Sequence, residues 1–185
     1  MNVKICGVRS LEVAIAAQKA GATHLGLNFI RSSRRYVGEV EAAEIARHLH
    51  GEVKLVGVFR DMPLEIVNDI AVRHQLDYVQ LHGTESPEYC RRVVAPVIKA
   101  VLVDPSDSTA RIIGRMQQYT CELFLLDRAV QGRGAVIDLA VAREIAASLP
   151  CFVAGGLTVE NVAHVVTFTQ PYGIDVAGGV ELDHH

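Results

Sequence analysis

A thiol, an imidazole and a carboxylate each stand at the same kind of place in this sequence. Cys6 closes the run Val3-Lys4-Ile5-Cys6 just before Gly7, His82 follows Tyr78 to Leu81 just before Gly83, and Asp127 follows Leu123 to Leu126. Glycine pairs, Gly155-Gly156 and Gly178-Gly179, close two later apolar runs, and Arg31, Arg34 and Arg35 share one basic loop. A thiol has a reference pKa of about 8.5 and accepts a proton only when partly ionised. A carboxyl donates one only when held protonated, which burial achieves. Cys6 and Asp127 are therefore a candidate base and acid. Taken alone, Cys6 also fits a core thiol, since free cysteine is among the most buried residue types. His82 also fits a hydrogen-bonding wall residue. The Cys, His and Asp positions lack the close spacing of a metal site, so none is expected. Glycine lets backbone N–H groups approach an anion, and a helix start adds a favourable dipole. Two pairs at successive strand ends favour phosphate over tight turns. One of the three arginines is expected to grip a carboxylate in fork geometry, the other two being solvated.

Such residues need strand ends that converge. Short apolar runs alternate with helical patterns along the whole chain. Strands are expected at 3–6, 24–29, 54–59, 78–81, 97–103, 123–126, 152–154 and 173–176. Helices are expected at 11–20, 40–49, 63–73, 87–94, 108–116, 138–147 and 158–167. Ser10, Asp138 and Thr158 are candidate caps, Gly21 a stop, and Pro63 and Pro87 helix starts. Alternation of this kind implies a parallel sheet with right-handed crossovers. Eight strands favour a closed (β/α)8 barrel of the TIM type over an open doubly wound sheet, which normally carries a glycine-rich turn after its first strand. In a barrel the loops after Cys6, Arg35, His82, Asp127 and both glycine pairs meet on one face, where phosphate is often bound after strands seven and eight. The chain is short for a barrel, which typically takes about 250 residues. No helical pattern follows the eighth strand: Leu182-Asp183-His184-His185 has none, so the final helix is expected to be missing or truncated. With no linker or low-complexity stretch, residues 1–185 are expected to form one barrel domain.

Composition narrows the partners. Half of the 185 residues are hydrophobic and 21% are charged, as in ordinary globular proteins. A formal net charge of −3 gives no sign of nucleic-acid or anionic-membrane binding. No apolar run reaches the roughly 18 residues of a membrane span, and the N-terminus enters a strand with no signal-peptide layout. Cys6, Cys90, Cys121 and Cys151 lie far apart, which fits reduced thiols in the cytoplasm. A small phosphorylated molecule is the expected partner, with the protein a monomer or homodimer.

An ordered set of segments resembles one family. It comprises Lys4-Ile5-Cys6-Gly7, Arg35-Tyr36, Gly57-Val58-Phe59, Val79-Gln80-Leu81-His82-Gly83, Ile98-Lys99-Ala100 and Leu125-Leu126-Asp127. It continues with Ala154-Gly155-Gly156-Leu157, Glu160-Asn161-Val162, Gly173-Ile174-Asp175-Val176 and Gly179-Val180-Glu181. Together these are similar to phosphoribosylanthranilate isomerases of tryptophan biosynthesis, over nearly the whole chain. The resemblance implies a (β/α)8 barrel and a cofactor-free Amadori rearrangement. N-(5′-phosphoribosyl)anthranilate becomes 1-(2-carboxyphenylamino)-1-deoxyribulose 5-phosphate. It also implies Asp127 as the acid that opens the ribose ring and Cys6 as the base that takes the C2′ proton. Arg35 would hold the anthranilate carboxylate. Gly155, Gly156, Gly178 and Gly179 would hold the phosphate, with His82 and Asp175 beside the substrate.

Three departures qualify the resemblance. Ala177-Gly178 stands where the family usually has two serines, which removes two hydroxyl donors to phosphate. The loop after Asp127 reads Gly132-Arg133-Gly134-Ala135, where a lysine is common, so Arg133 is a candidate stand-in. The chain also ends where the family continues into a last helix. Two other readings compete: a different phosphate-binding barrel isomerase or epimerase, and a catalytically silent ligand-binding barrel. The Cys6/Asp127 pair separates the first, since the similar histidine-pathway isomerase has an aspartate at the first strand end. Turnover separates the second.

Overall fold

A computed structural model describes residues 1–104, 106–128 and 137–181. Eight parallel strands close into a barrel in chain order, the eighth hydrogen-bonded to the first. They are β1 (Asn2–Cys6), β2 (His24–Asn28), β3 (Lys54–Phe59), β4 (Tyr78–Leu81), β5 (Val97–Val103), β6 (Leu123–Arg128), β7 (Cys151–Val153) and β8 (Gly173–Val176). The connecting helices are α1 (Leu11–Lys19), α2 (Glu39–Leu49), α3 (Leu64–Arg73), α4 (Pro87–Arg91), α5 (Thr109–Met116), α6 (Leu139–Ser148) and α7 (Val162–Thr169). Brevity explains how a short chain closes a barrel: α4 has five residues and β7 has three.

Local chemistry sets the helix starts. The side chains of Ser10, Ser86, Ser108 and Asp138 accept from backbone N–H groups of the first turns, satisfying donors that lack helical partners. The helix expected over 87–94 stops at Arg91. The start expected at Thr158 moves to Asn161, because Asn161 ties down the loop instead. Its Oδ1 accepts from the Thr158 amide (2.9 Å) and its Nδ2 donates to the Gly156 carbonyl (2.9 Å).

Strand periodicity divides the side chains between two cores. Val56, Ile98, Leu123, Leu125 and Phe152 fill the barrel interior. Leu25, Leu27, Leu55, Phe59, Val79 and Leu81 pack outward under the helices. Cover is uneven around the ring. Outward-facing Leu25 and Leu27 of β2 are fully buried, whereas Val3 and Ile5 of β1, beside the β8 seam, are only half-buried. Among the described residues, β8 is followed only by a 3-10 turn, Gly178–Val180.

Candidate active site

The C-terminal ends of the strands open into one cavity of about 1240 Å³, lined on facing sides by Cys6, Arg35, His82, Asp127, Gly155 and Gly178. Gly156, Asp175 and Gly179 also line it, so every residue singled out for the site meets there. The loop residues Gly132, Arg133, Gly134 and Ala135 lie outside the described residues.

The β1 side is built on a residue that sequence reasoning quoted without giving it a role. Side chains two apart in a strand share a face, so Lys4 points inward with Cys6. Lys4 is fully buried, and its Nζ donates to Asp175 Oδ1 at 2.8 Å across the β1–β8 pair. Gly26 on β2 makes room for both groups: a Cβ there would sit 2.8 Å from the Cys6 Sγ and 3.1 Å from the Lys4 Nζ. The ammonium and the thiol are therefore neighbours in a closed space. Burial opposes the Lys4 charge, but the Asp175 carboxylate and the Cys6 sulfur outweigh it, so its pKa is raised. Burial pushes the Cys6 thiol up, with Asp175 adding to the rise and Lys4 and Arg35 working against it.

Across the cavity, His82 Nε2 lies 3.5 Å from Asp127 Oδ2. On its other side His82 Nδ1 is 3.2 Å from the Gln80 amide nitrogen, Gln80 again being two residues away on the same strand face. Buried Lys99 and Glu85 fix the turn that carries His82. Lys99 Nζ donates to the carbonyls of Leu81 (3.2 Å) and Gly83 (2.8 Å), and Glu85 accepts from the Gly83 amide (3.0 Å). Burial is one of several influences on the Asp127 carboxyl. Burial does push its pKa up, but the contact with His82 and the Arg128 amide on Oδ1 (2.8 Å) outweigh it, and the net shift is downward. Any proton available on this side belongs to the His82–Asp127 pair.

The anion-binding ends come from loops. Asn28 organises the one after β2: its Nδ2 donates to Ser33 Oγ (3.3 Å), which accepts from the Arg35 amide (3.1 Å). The loop then returns to β2 where the Val37 amide donates to the Asn28 carbonyl (2.9 Å). Arg35 lies across Gly7, whose φ of +88° and lack of a Cβ leave room for the side-chain stem. Its guanidinium is already paired. Nε donates to Glu181 Oε1 (2.6 Å) and Nη2 to Oε2 (3.0 Å), while Arg34 reaches the same Oε2 (3.1 Å). Arg34 is thus not the freely solvated residue expected from the sequence, and Glu181 joins the site unanticipated except as part of a quoted segment. Opposite, Gly155 (φ +83°) and Gly156 (φ +74°) turn the chain after β7. Among the described residues, their amides donate to no protein acceptor, and so remain available to an anion. A Cβ on Gly179 would run into the Leu157 carbonyl, so the β7 and β8 loops abut at backbone distance.

The sequence profile of the family described as N-(5′-phosphoribosyl)anthranilate (PRA) isomerase matches residues 3–183. A protein of Geobacter sulfurreducens named N-(5′-phosphoribosyl)anthranilate isomerase is 41% identical over 98% of this chain and 89% of its own length. The phosphoribosyl anthranilate isomerase of Thermus thermophilus superposes with a TM-score of 0.87 at 35% identity, covering 99% of this chain and 90% of that one. A further such isomerase was solved with reduced 1-(o-carboxyphenylamino)-1-deoxyribulose 5-phosphate (TM-score 0.86, 34% identity, 99% and 90% covered).

Proposed function

The chain belongs to the N-(5′-phosphoribosyl)anthranilate isomerase family, and on that premise we propose how its residues divide the reaction. The activity is the Amadori rearrangement of N-(5′-phosphoribosyl)anthranilate to 1-(2-carboxyphenylamino)-1-deoxyribulose 5-phosphate, a step of tryptophan biosynthesis. The observation that carries the assignment is the opposition of two titratable centres across one cavity, Cys6 with Lys4 on one side and His82 with Asp127 on the other.

The His82–Asp127 pair donates a proton to the ribose ring oxygen as its bond to C1′ breaks. The aryl nitrogen's electrons form the iminium. Cys6, as thiolate, then removes the C2′ proton to give the enolamine, which tautomerises to the ketone. The iminium acidifies the C2′ proton, so a thiolate steadied by the Lys4 ammonium suffices as base. Arg35 faces the anthranilate carboxylate, and the amides after β7 and β8 face the phosphate. That role for backbone donors fits a chain with Ala177-Gly178 in place of two serines. Asp175 holds Lys4 in place while lining the cavity. Cytoplasmic location and a monomeric or homodimeric state complete the proposal. The first is supported by the biosynthetic role of the family. The second is supported by a Thermotoga maritima relative described as dimeric, of which monomers have been generated.

The test is turnover. Adding the protein to phosphoribosylanthranilate is expected to extinguish the anthranilate fluorescence in a protein-dependent manner. Binding of the reduced product without turnover would instead favour a silent ligand-binding barrel.

A further inference from the structure

We propose that Glu181 is a positioning residue that sets the aim of Arg35 and thereby selects substrates carrying a ring carboxylate, an inference that rests on Arg35 being the carboxylate anchor. A guanidinium presents five donors along separate edges. Glu181 takes one edge in fork geometry, Nε at 2.6 Å and Nη2 at 3.0 Å. Nη1 has no hydrogen-bond partner among the described residues, so the Nη1/Nη2 edge is open to a second planar carboxylate.

The charge balance supports the same role. Arg34 also bonds Glu181 (3.1 Å), and the pairing with Arg35, helped by Arg34 and then Arg9, holds the Glu181 carboxyl below its usual range against the effect of burial. One carboxylate thus faces three guanidinium groups, and the excess is cationic. Glu181 anchors the cluster without exhausting it.

Connectivity gives the arrangement its use. Glu181 directly follows the Gly178–Val180 turn. A Cβ at Gly178 would lie 3.4 Å from Arg35 Nη2 and 3.9 Å from Glu181 Oε2. The ion pair therefore sits against the turn assigned to the phosphate. One short segment fixes the distance between the carboxylate-binding and phosphate-binding ends, as a gauge for a ligand with both groups.

The experiment measures affinity, by calorimetry on the full chain, for the reduced product and for the same compound with its ring carboxylate replaced by hydrogen. Glu181→Gln is expected to weaken the carboxylate ligand about tenfold, the scale of one misaligned charge-assisted hydrogen bond, and the decarboxylated ligand less than about twofold. Glu181→Asp keeps the charge but withdraws it by one methylene, and should fall between. Arg35→Ala is expected to discriminate the two ligands in the same sense, and Glu181→Gln/Arg35→Ala to lose no more than Arg35→Ala alone. Tighter binding of the carboxylate ligand by Glu181→Gln would show Glu181 competing for the fork and overturn the proposal. Equal losses for both ligands would overturn it as well, placing the effect in the turn or the fold. If Arg35→Ala discriminates and Glu181→Gln does not, the proposal alone fails. If Arg35→Ala does not discriminate either, the assignment of Arg35 as anchor fails with it.

Discussion

Replacing Lys4 with methionine keeps most of the length of the side chain and removes the stronger of the two cationic influences on the Cys6 thiol, that of Arg35 remaining. Two unit charges about 5 Å apart at an effective dielectric of about 20 interact by about 3 kcal/mol, a little over two pKa units. Asp175 would remain, and it already pushes the Cys6 pKa up. The Cys6 thiol of Lys4→Met should therefore ionise about two pH units later than in the unmodified protein. The direct assay is the pH dependence of Cys6 alkylation by iodoacetamide, followed on the peptide that contains it. Cys90 and Cys151 are buried, and peptide mapping separates Cys121. At a fixed pH below the midpoint, the thiolate fraction falls about a hundredfold, but a more basic thiolate is a better base. The net loss in kcat/KM should be about tenfold. Lys4→Met also strands a buried carboxylate, a defect that typically costs about 3–5 kcal/mol. Lys4→Met/Asp175→Asn removes both charges, and should recover stability while its thiol midpoint returns only part of the way. An alkylation midpoint within about half a unit of the unmodified protein would refute the argument that Lys4 supports the thiolate.

Two further outcomes follow from the same geometry. Cys6→Ser and Asp127→Asn should each reduce kcat by about 10²–10⁴-fold while affinity for the reduced product stays within a few-fold, as calorimetry would show. Near-normal turnover in either would remove that residue from the acid–base pair. At the seam, fusing a helix after residue 185 should cover the half-buried Val3 and Ile5. Burying about 100 Å² of apolar surface contributes about 2.5 kcal/mol, or a Tm gain of several degrees at this chain length. A calorimetric Tm that does not rise would mean that the seam is already sufficiently covered.

The barrel was legible because each strand announced itself twice, by an apolar run and by the residue that ended it. Cys6, His82 and Asp127 are legible as candidates for that reason, and all three line the cavity, since what stands at a strand end is a property of position along the chain. The sequence was less readable wherever function depends on what lies across a strand or between loops. Lys4 looks like an ordinary charge in an apolar run. Only the two-residue period places it inside with Cys6, and only the β1–β8 register supplies Asp175 as its partner. Gln80 reaches His82 by the same period. Glu181 and Arg35 are 146 residues apart, and no local pattern joins them. Asp127 is legible as a strand-end carboxylate, but the balance that sets its proton affinity is not. Burial can be inferred from one strand, whereas the opposing contact with His82 requires the two strand ends to meet.

The opposite shifts of Cys6 and Asp127 have a measurable consequence. Burial raises the Cys6 pKa, and Asp127 sits below its ordinary range because His82 and the Arg128 amide outweigh its burial. At neutral pH the resting site therefore holds a thiol and a carboxylate. The working form needs a thiolate and a proton on the His82–Asp127 pair, which is the same number of protons placed the other way round. Such a form is a constant minor fraction between the two pKa values and vanishes outside them. The acid limb of the kcat/KM profile, where activity falls with falling pH, then reports protonation of the Asp127 side. The alkaline limb, where activity falls with rising pH, reports Cys6. A conventional pair would give the reverse. The substrate phosphate titrates near pH 6, so variant and unmodified protein must be compared under identical conditions. Asp127→Asn, measured on its residual activity, needs only the thiolate, so its activity should rise with pH up to the Cys6 midpoint and show no alkaline fall. If the acid limb stays where it is in the unmodified protein and the activity is level across neutral pH, the resting site holds a thiolate and a protonated Asp127 side, and burial outweighs His82 after all.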